Sequence, residues 1–339
     1  MASIIDVARE AKVSTATVSR VMNHNPQVNP ALVELVRKAM ETTGYKPPEV
    51  RRKGRPRKSL TSLSSGVVAV IFPDFSRAAI RTPLSARLIH GIEETLRELN
   101  LTMVVTSITE NEKLPRIVDK RLVDGMIIRA GYRDEKLPPE VLKLPHVYML
   151  KPSGVNADGS DCAFDDNTVI GAMALRYLVN SGCGSLSLIN IIPGHPSFES
   201  RIRSFQLEAA ESGRDVRVVS STGPIEEVVN RAIAGQRKPY GIFVPGSDGE
   251  VTTTYHSLAA RGLKLGEDMH FICCVNDIHR LEALDRRLVN IDIQAEAIGR
   301  AAVELLIWRL RHPNEPKRCL IVAPKFVPEV QLPSVPYQV

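Results

Sequence analysis

The chain opens with two short stretches of helical periodicity. Ile4, Val7, Ala8 and Ala11 recur at spacings of three and four, which places them on one helical face. A tight break follows at Ala11-Lys12-Val13-Ser14, where Ser14 can cap a second helix by accepting from a free backbone amide. In that helix Val18, Val21 and Met22 form an apolar stripe turned towards the first, leaving Thr15, Ala16, Ser19 and Arg20 outward. Asn29-Pro30 begins a third amphipathic helix with Leu32, Val33, Val36 and Met40 on its apolar face, and Gly44 can end it. Three such helices suffice for a small core of their own.

From Gly66 the pattern changes to short apolar, β-branched runs alternating with amphipathic segments. Strands are predicted at Val67–Phe72, Thr102–Ile108, Met126–Ile128, Val147–Leu150, Leu186–Ile192, Val216–Val219, Gly241–Val244 and Phe271–Val275. Helices are predicted at Leu84–Leu99, Thr168–Ser181, Ser200–Ser212, Glu226–Ala234, Val251–Arg261 and Ala295–Leu310. Repeated βα units imply parallel sheets covered by helices, and their number exceeds one such domain, so two lobes are expected. The expected division is a head over residues 1–46, a basic linker over 47–65 and a core over 66–339.

Composition alters this picture in one respect. Residues 1–65 hold 12 Lys and Arg against 5 Asp and Glu, whereas the remaining residues hold 32 against 33. The excess positive charge therefore lies wholly in the N-terminal fifth, where a polyanion would be gripped. An outward face of small side chains followed by Arg20 suits a helix entering a DNA major groove. Thr15, Ala16 and Arg20 are the expected base contacts; Ser14, Thr17, Ser19, Asn23 and Tyr45 are the expected phosphate contacts. The five cysteines include no Cys-x-x-Cys pair and read as reduced cytosolic thiols. The N-terminus lacks a basic region followed by an apolar run, and no stretch is long and apolar enough to span a bilayer.

The head also carries a family resemblance. Ile5-Asp6-Val7-Ala8, Ala11, Val13-Ser14 and Thr17-Val18-Ser19-Arg20-Val21-x-Asn23 resemble the N-terminal signature of the lactose-repressor (LacI/GalR) family of bacterial transcription regulators. Tyr45-x-Pro47 follows as in that family. Farther on, Val68-x-Val70-Ile71-x-Pro73-Asp74 and Val123-Asp124-Gly125-Met126-Ile127-Ile128 resemble its first core strands, and Gly299, Ala302 and Leu305-Leu306 its late helix. The resemblance implies an α/β fold: a three-helix helix-turn-helix head joined to a two-lobed, periplasmic-binding-protein-like core. It also implies three chain crossings, near Phe164, Ile291 and Leu320. Lobe 1 would then hold about 66–163 plus 292–319, and lobe 2 about 164–291 plus 320–339.

The linker departs from the family. Where relatives carry a hinge helix that pushes a leucine into the minor groove, this chain reads Arg51-Arg52-Lys53-Gly54-Arg55-Pro56-Arg57-Lys58. Pro56 disfavours a continuous helix. Gly-Arg-Pro among basic residues resembles an AT-hook, in which Arg55 and Arg57 would enter a narrow A·T-rich minor groove. A flexible basic linker touching only phosphates is the other reading.

Ligands of parallel sheets bind beyond the C-terminal ends of strands. Asp74 follows the first strand; Ser197 and Arg201 stand four apart at the start of a helix. Arg201 matches the arginine that holds the effector in many relatives, and a guanidinium can fork two hydrogen bonds to a diol or carboxylate. Asp248 and Asn276 or Asp277 are the nearest matches to further family pocket positions, which are altered here: Gly246-Ser247-Asp248 and Cys273-Cys274-Val275-Asn276-Asp277. These departures point to an effector other than an ordinary sugar, or to none.

Dinucleotide, P-loop and nucleophile-elbow motifs are missing, and the histidines lack metal-ligand spacing, so no enzyme, cofactor or metal is expected. The expectation is a cytoplasmic, nucleoid-associated bacterial regulator, a homodimer on a pseudo-palindromic operator in double-stranded DNA. A small ligand between the lobes would control it, and no membrane is involved. The alternative is an architectural DNA binder without an effector, using the basic linker. A free sugar-binding protein or enzyme conflicts with the basic head.

Overall fold

The computed structural model describes residues 3–22, 28–45, 63–73, 82–108, 114–130, 137–151, 159–246, 248–275 and 287–328, with 277, 281 and 283–285. The chain divides into two compact units, Met1–Leu60 and Thr61–Val339.

The first unit holds helices α1 (Ile4–Glu10), α2 (Thr15–Met22) and α3 (Pro30–Thr43). A capping box starts α1: the Asp6 amide donates to the Ser3 hydroxyl at 3.4 Å, and the Asp6 carboxylate accepts from the Ser3 amide at 2.8 Å. The Ser3 hydroxyl and amide together hold Asp6 below the usual carboxylate range. Lys12, in the left-handed region at φ 52, makes the tight turn before α2. The Asn29 side chain accepts from the Ala31 amide at 2.9 Å, and Gly44, at φ 66, ends α3. Val7, Ala8, Ala11, Val18, Val36 and Ala39 are buried together, with Ile4, Val13, Val21, Met22, Met40 and Tyr45 packed against them. Val33, placed on the apolar face by its spacing, is exposed, because the buried stripe of α3 runs through Val36 and Ala39 instead.

The second unit is built on two six-stranded sheets. The first holds β1 (Val67–Pro73), β2 (Thr102–Ile108), β3 (Gly125–Arg129), β4 (His146–Met149), β5 (Cys162–Asp165) and β11 (Cys319–Val322). Their order is β11-β5-β4-β3-β1-β2, all parallel. The second holds β6 (Ser185–Asn190), β7 (Val216–Ser220), β8 (Tyr240–Val244), β9 (Met269–Cys273), β10 (Val289–Asp292) and β12 (Lys325–Val327). Its order is β12-β10-β9-β8-β6-β7, parallel except for β12. The central strands are buried on both faces, as their unbroken apolar runs demand.

Helices cover the sheets. In the first lobe α4 (Pro83–Glu98) packs along α11 (Ala295–Arg311), with the single turns α5 (Arg116–Asp119) and α6 (Pro139–Leu142) nearby in sequence. In the second, α7 (Asn167–Asn180) packs along α8 (Pro196–Glu211), with α9 (Ile225–Ile233) and α10 (Asp248–Ala259) against each other. The α8 helix starts a turn earlier than its apolar spacing suggests, because Pro196 supplies a first-turn φ that needs no amide partner.

The chain passes between the sheets three times: after Asp165, between Asp292 and α11, and between β11 and β12. The third passage follows Val322 rather than Leu320, since β11 pairs with β5 through Val322↔Asp165. Among the described residues, no helix is long and apolar enough to cross a membrane.

Candidate functional site

In the head, the start of α2 is fixed by its own side chains. The Ser14 hydroxyl accepts from the Thr17 amide at 3.1 Å and lies 2.9 Å from the Thr17 hydroxyl. Ser14, Thr15 and Arg20 are exposed, whereas Val18 on the opposite face is buried. Ala16 and Ser19 lie within α2 by their backbone. Tyr45, expected at a phosphate, is half-buried against the head core, and its amide donates to the Met40 carbonyl at 3.1 Å. Asn23 and the whole basic run Arg51, Arg52, Lys53, Gly54, Arg55, Pro56, Arg57 and Lys58 lie outside the described residues. The head thus presents a capped helix with one polar, cationic face, a shape and charge matched to a groove of DNA.

In the core, the C-terminal ends of β5, β8 and β9 converge on Arg201. This guanidinium, on the second turn of α8, is 5% exposed. Its Nε donates to Asn167 Oδ1 at 2.7 Å, one Nη to the Pro245 carbonyl at 2.7 Å, and the other to Asp165 Oδ2 at 2.9 Å. Asp165 ends a strand of the first sheet and Pro245 follows a strand of the second, so one side chain ties both lobes together. Burial opposes its charge, but Cys274, Asp165 and Glu250 hold its pKa above the ordinary value. Three of the five N–H donors are occupied by protein.

A wall of α8 stands beside it. His195 stacks on Phe198 with ring centroids 4.0 Å apart, and the Arg201 guanidinium lies 5.6 Å from the centroid of the Phe198 ring. Burial first, then the charges of Arg201 and Arg129, pull the His195 pKa down to about 4, so the imidazole is neutral near pH 7. Ser197 is buried on the first turn. Asp248 starts α10, and its carboxylate accepts from the Asp277 amide at 3.3 Å. Glu250, buried, accepts from the Ile191 amide at 3.3 Å, and its carboxylate fills the space that a Cβ at Gly246 would need. The absence of a side chain at Gly246 therefore makes room for an acid.

Sequence reasoning selected Ser197, Arg201, Asp248 and Asp277; Asp74 and Asn276 fall outside the described residues. It did not select Asp165, Asn167, Pro245, Glu250 or the His195–Phe198 stack. The Asp165 and Asn167 contacts with Arg201 span 36 and 34 residues of sequence, and no local periodicity reports them. Carboxylates and a guanidinium brought together in this way suit a polar ligand with several hydroxyl groups. Among the described residues, no grouping of His, Cys, Asp and Glu could hold a metal ion.

Comparisons with known proteins follow this division. Residues 3–48 match the family model of bacterial regulatory proteins, lacI family, and residues 175–328 that of a periplasmic binding protein-like domain. The chain is similar to catabolite control protein A of Priestia megaterium, 29% identical over 90% of this chain and 91% of that protein. In fold it is similar to the transcriptional regulator CelR in complex with cellobiose, with a TM-score of 0.63, 21% identity and coverage of 96% and 98% of the two chains. It is also similar to the lac repressor dimer bound to operator and an anti-inducer, with a TM-score of 0.62, 16% identity and coverage of 97% and 98%.

Proposed function

We propose that the chain, whose head matches the lacI family of bacterial regulatory proteins, is a cytoplasmic, dimeric repressor controlled by a small polar ligand in its core. Two heads would read a pseudo-palindromic operator, since a two-fold dimer presents the same α2 face twice. Thr15, Ala16 and Arg20 would touch bases, and Ser14, Thr17, Ser19, Asn23 and Tyr45 phosphates. The observation that carries ligand control is the tie of Arg201 to Asp165 and Pro245 across the two lobes. A ligand that takes hydrogen bonds from Arg201 competes with a contact joining the lobes, and so favours a different lobe arrangement. Ser197, Asp248, Asp277 and, by sequence, Asp74 and Asn276 would complete its shell.

A thermal-shift screen of the intact protein against sugars, sugar phosphates, uronic acids and nucleobases tests this. A ligand at about a hundred times its dissociation constant adds roughly 2.7 kcal/mol of stability. Arg201→Lys should abolish that gain, because an ammonium cannot reproduce the forked contacts. Ligands that stabilise the protein without changing its operator affinity would remove the control step.

The basic run Arg51–Lys58 is proposed to reach the minor groove at the operator centre. Replacing Arg55 and Arg57 by alanine should weaken A·T-centred operators more than G·C-centred ones, measured by fluorescence anisotropy at fixed salt. Equal losses on both would reduce the segment to a phosphate-binding linker.

A further inference from the structure

Cys162 and Cys319 open the neighbouring parallel strands β5 and β11 and stand opposite one another in their register. Their sulfurs approach to 2.8 Å, inside non-bonded contact. Adjacent strands lie about 4.8 Å apart, within the Cα separation that a disulfide spans. The register is pinned by the residues just before each cysteine. The Asp161 carboxylate accepts from the Arg318 amide at 2.9 Å, and the Cys162 amide donates to the Arg318 carbonyl at 3.0 Å. The pair lies at the N-terminal ends of its strands, whereas Asp165, which holds Arg201, lies at the C-terminal end of β5. The cleft therefore does not use it.

The two thiols differ in access. Cys319 is exposed and Cys162 is buried. Burial and the neighbouring Cys319 hold the Cys162 thiol well above its ordinary pKa. An oxidant thus meets Cys319 first, with Cys162 already in place behind it.

We infer that Cys162 and Cys319 form a reversible intramolecular disulfide, with hydrogen peroxide as the oxidant. The Cys319 thiolate attacks the peroxide, the O–O bond breaks, and one oxygen leaves as water after taking a proton. Cys319 is then a sulfenic acid. The Cys162 sulfur attacks the Cys319 sulfur, the S–O bond breaks, and the hydroxyl leaves as water with the Cys162 proton. Two thiols are oxidised and one peroxide is reduced, and a dithiol reverses the bond by exchange. The bond ties β11, an edge strand, to β5. The segment after β11 is the third passage between the sheets, so oxidation anchors one of the connections on which lobe movement depends.

The test uses the full chain, reduced, freed of reductant, and treated with stoichiometric hydrogen peroxide. Peptide mapping without reduction should show Cys162 linked to Cys319, with two of the five cysteines lost to alkylation in denaturant and recovered with dithiothreitol. The oxidised protein should melt at a higher temperature than the reduced one. Cys162→Ser should stop at a sulfenic acid on Cys319 that dimedone traps, and Cys319→Ser, at an exposed position, should form no link. Cys319 ending as a sulfinic acid in the unsubstituted protein, a link to Cys183 or between chains, or five unchanged thiols would each overturn the inference.

Discussion

Arg309→Met lowers the stability of the core by about 3–5 kcal/mol, the loss expected when a buried ion pair is broken from one side. Arg309, near the end of α11, is 4% exposed. It donates to both oxygens of Asp161 at 2.6 and 3.1 Å. The same guanidinium donates to the carbonyls of His312, Pro313, Glu315 and Pro316 at 2.8, 3.1, 2.8 and 3.0 Å. It thus closes the end of the helix and the turn beyond it, where carbonyls otherwise lack partners. Methionine keeps the bulk and removes every donor, leaving the buried Asp161 with only Lys317 at 3.5 Å and the Arg318 amide.

The deficit should depend on pH. Burial pushes the Asp161 carboxyl upward, but hydrogen bonds from Arg309 and the Arg318 amide, with the charge of Lys317, hold it below the ordinary range. A depressed native pKa contributes stability above the unfolded value, near 4, and loses it as the pH falls through the native value. The gap between Arg309→Met and the unsubstituted protein is therefore full at neutral pH and narrows in acid. Urea unfolding at both extremes measures it; an equal gap at both would show that lost packing, not charge, sets the deficit.

Gly299→Ala destabilises by about 2–3 kcal/mol, in the range of overpacking a close contact, although alanine favours a helix by roughly 1 kcal/mol. A Cβ at Gly299 would sit 2.5 Å from the Leu88 carbonyl oxygen and 3.1 Å from the Ile92 amide, and backbone cannot retreat as a side chain can. Gly91 makes the reciprocal approach of α4 to the Glu296 carbonyl on α11. Arg87 of α4 clasps Glu296 of α11 at 2.8 and 2.6 Å and forks to Asp292, at the end of β10, at 3.0 Å twice. Separating the helices would weaken that clasp and open the apolar layer of Leu88, Ile92, Ile298 and Ala302. Gly249→Ala in α10 is the control: its Cβ meets nothing within 4 Å, so it should be neutral or stabilising. Thermal melts of the two variants should move apart. A Gly299→Ala protein as stable as the control would mean that the helices do not approach this closely.

The head was legible because local chemistry specifies it. Ser14, Asn29-Pro30 and Gly44 sit at helix ends as their side chains require, and a 3.6-residue stripe selects the buried positions. Val33 shows the limit, since periodicity allows a wider apolar face than three short helices can bury. In the core, the longer strands were visible as unbroken apolar runs. The four-residue β5, β10 and β11 and the three-residue β12 were not, because their strand state depends on partners far along the chain. The same reason divides the cleft. Arg201 and Ser197 could be picked out by spacing and by family resemblance, but the partners that occupy Arg201 are brought to it only by the fold.

The most direct test is selection of duplex DNA from a random pool by the full chain, repeated with Arg20→Ala. The expected result is enrichment of a pseudo-palindrome with half-sites about one helical turn apart, or a multiple of that spacing. Arg20→Ala should lose roughly tenfold or more in affinity and relax preference at one base pair in each half-site. Binding that is uniform across sequences, and equal for both proteins at matched salt, would contradict a sequence-reading repressor and leave only a cationic grip on the DNA backbone.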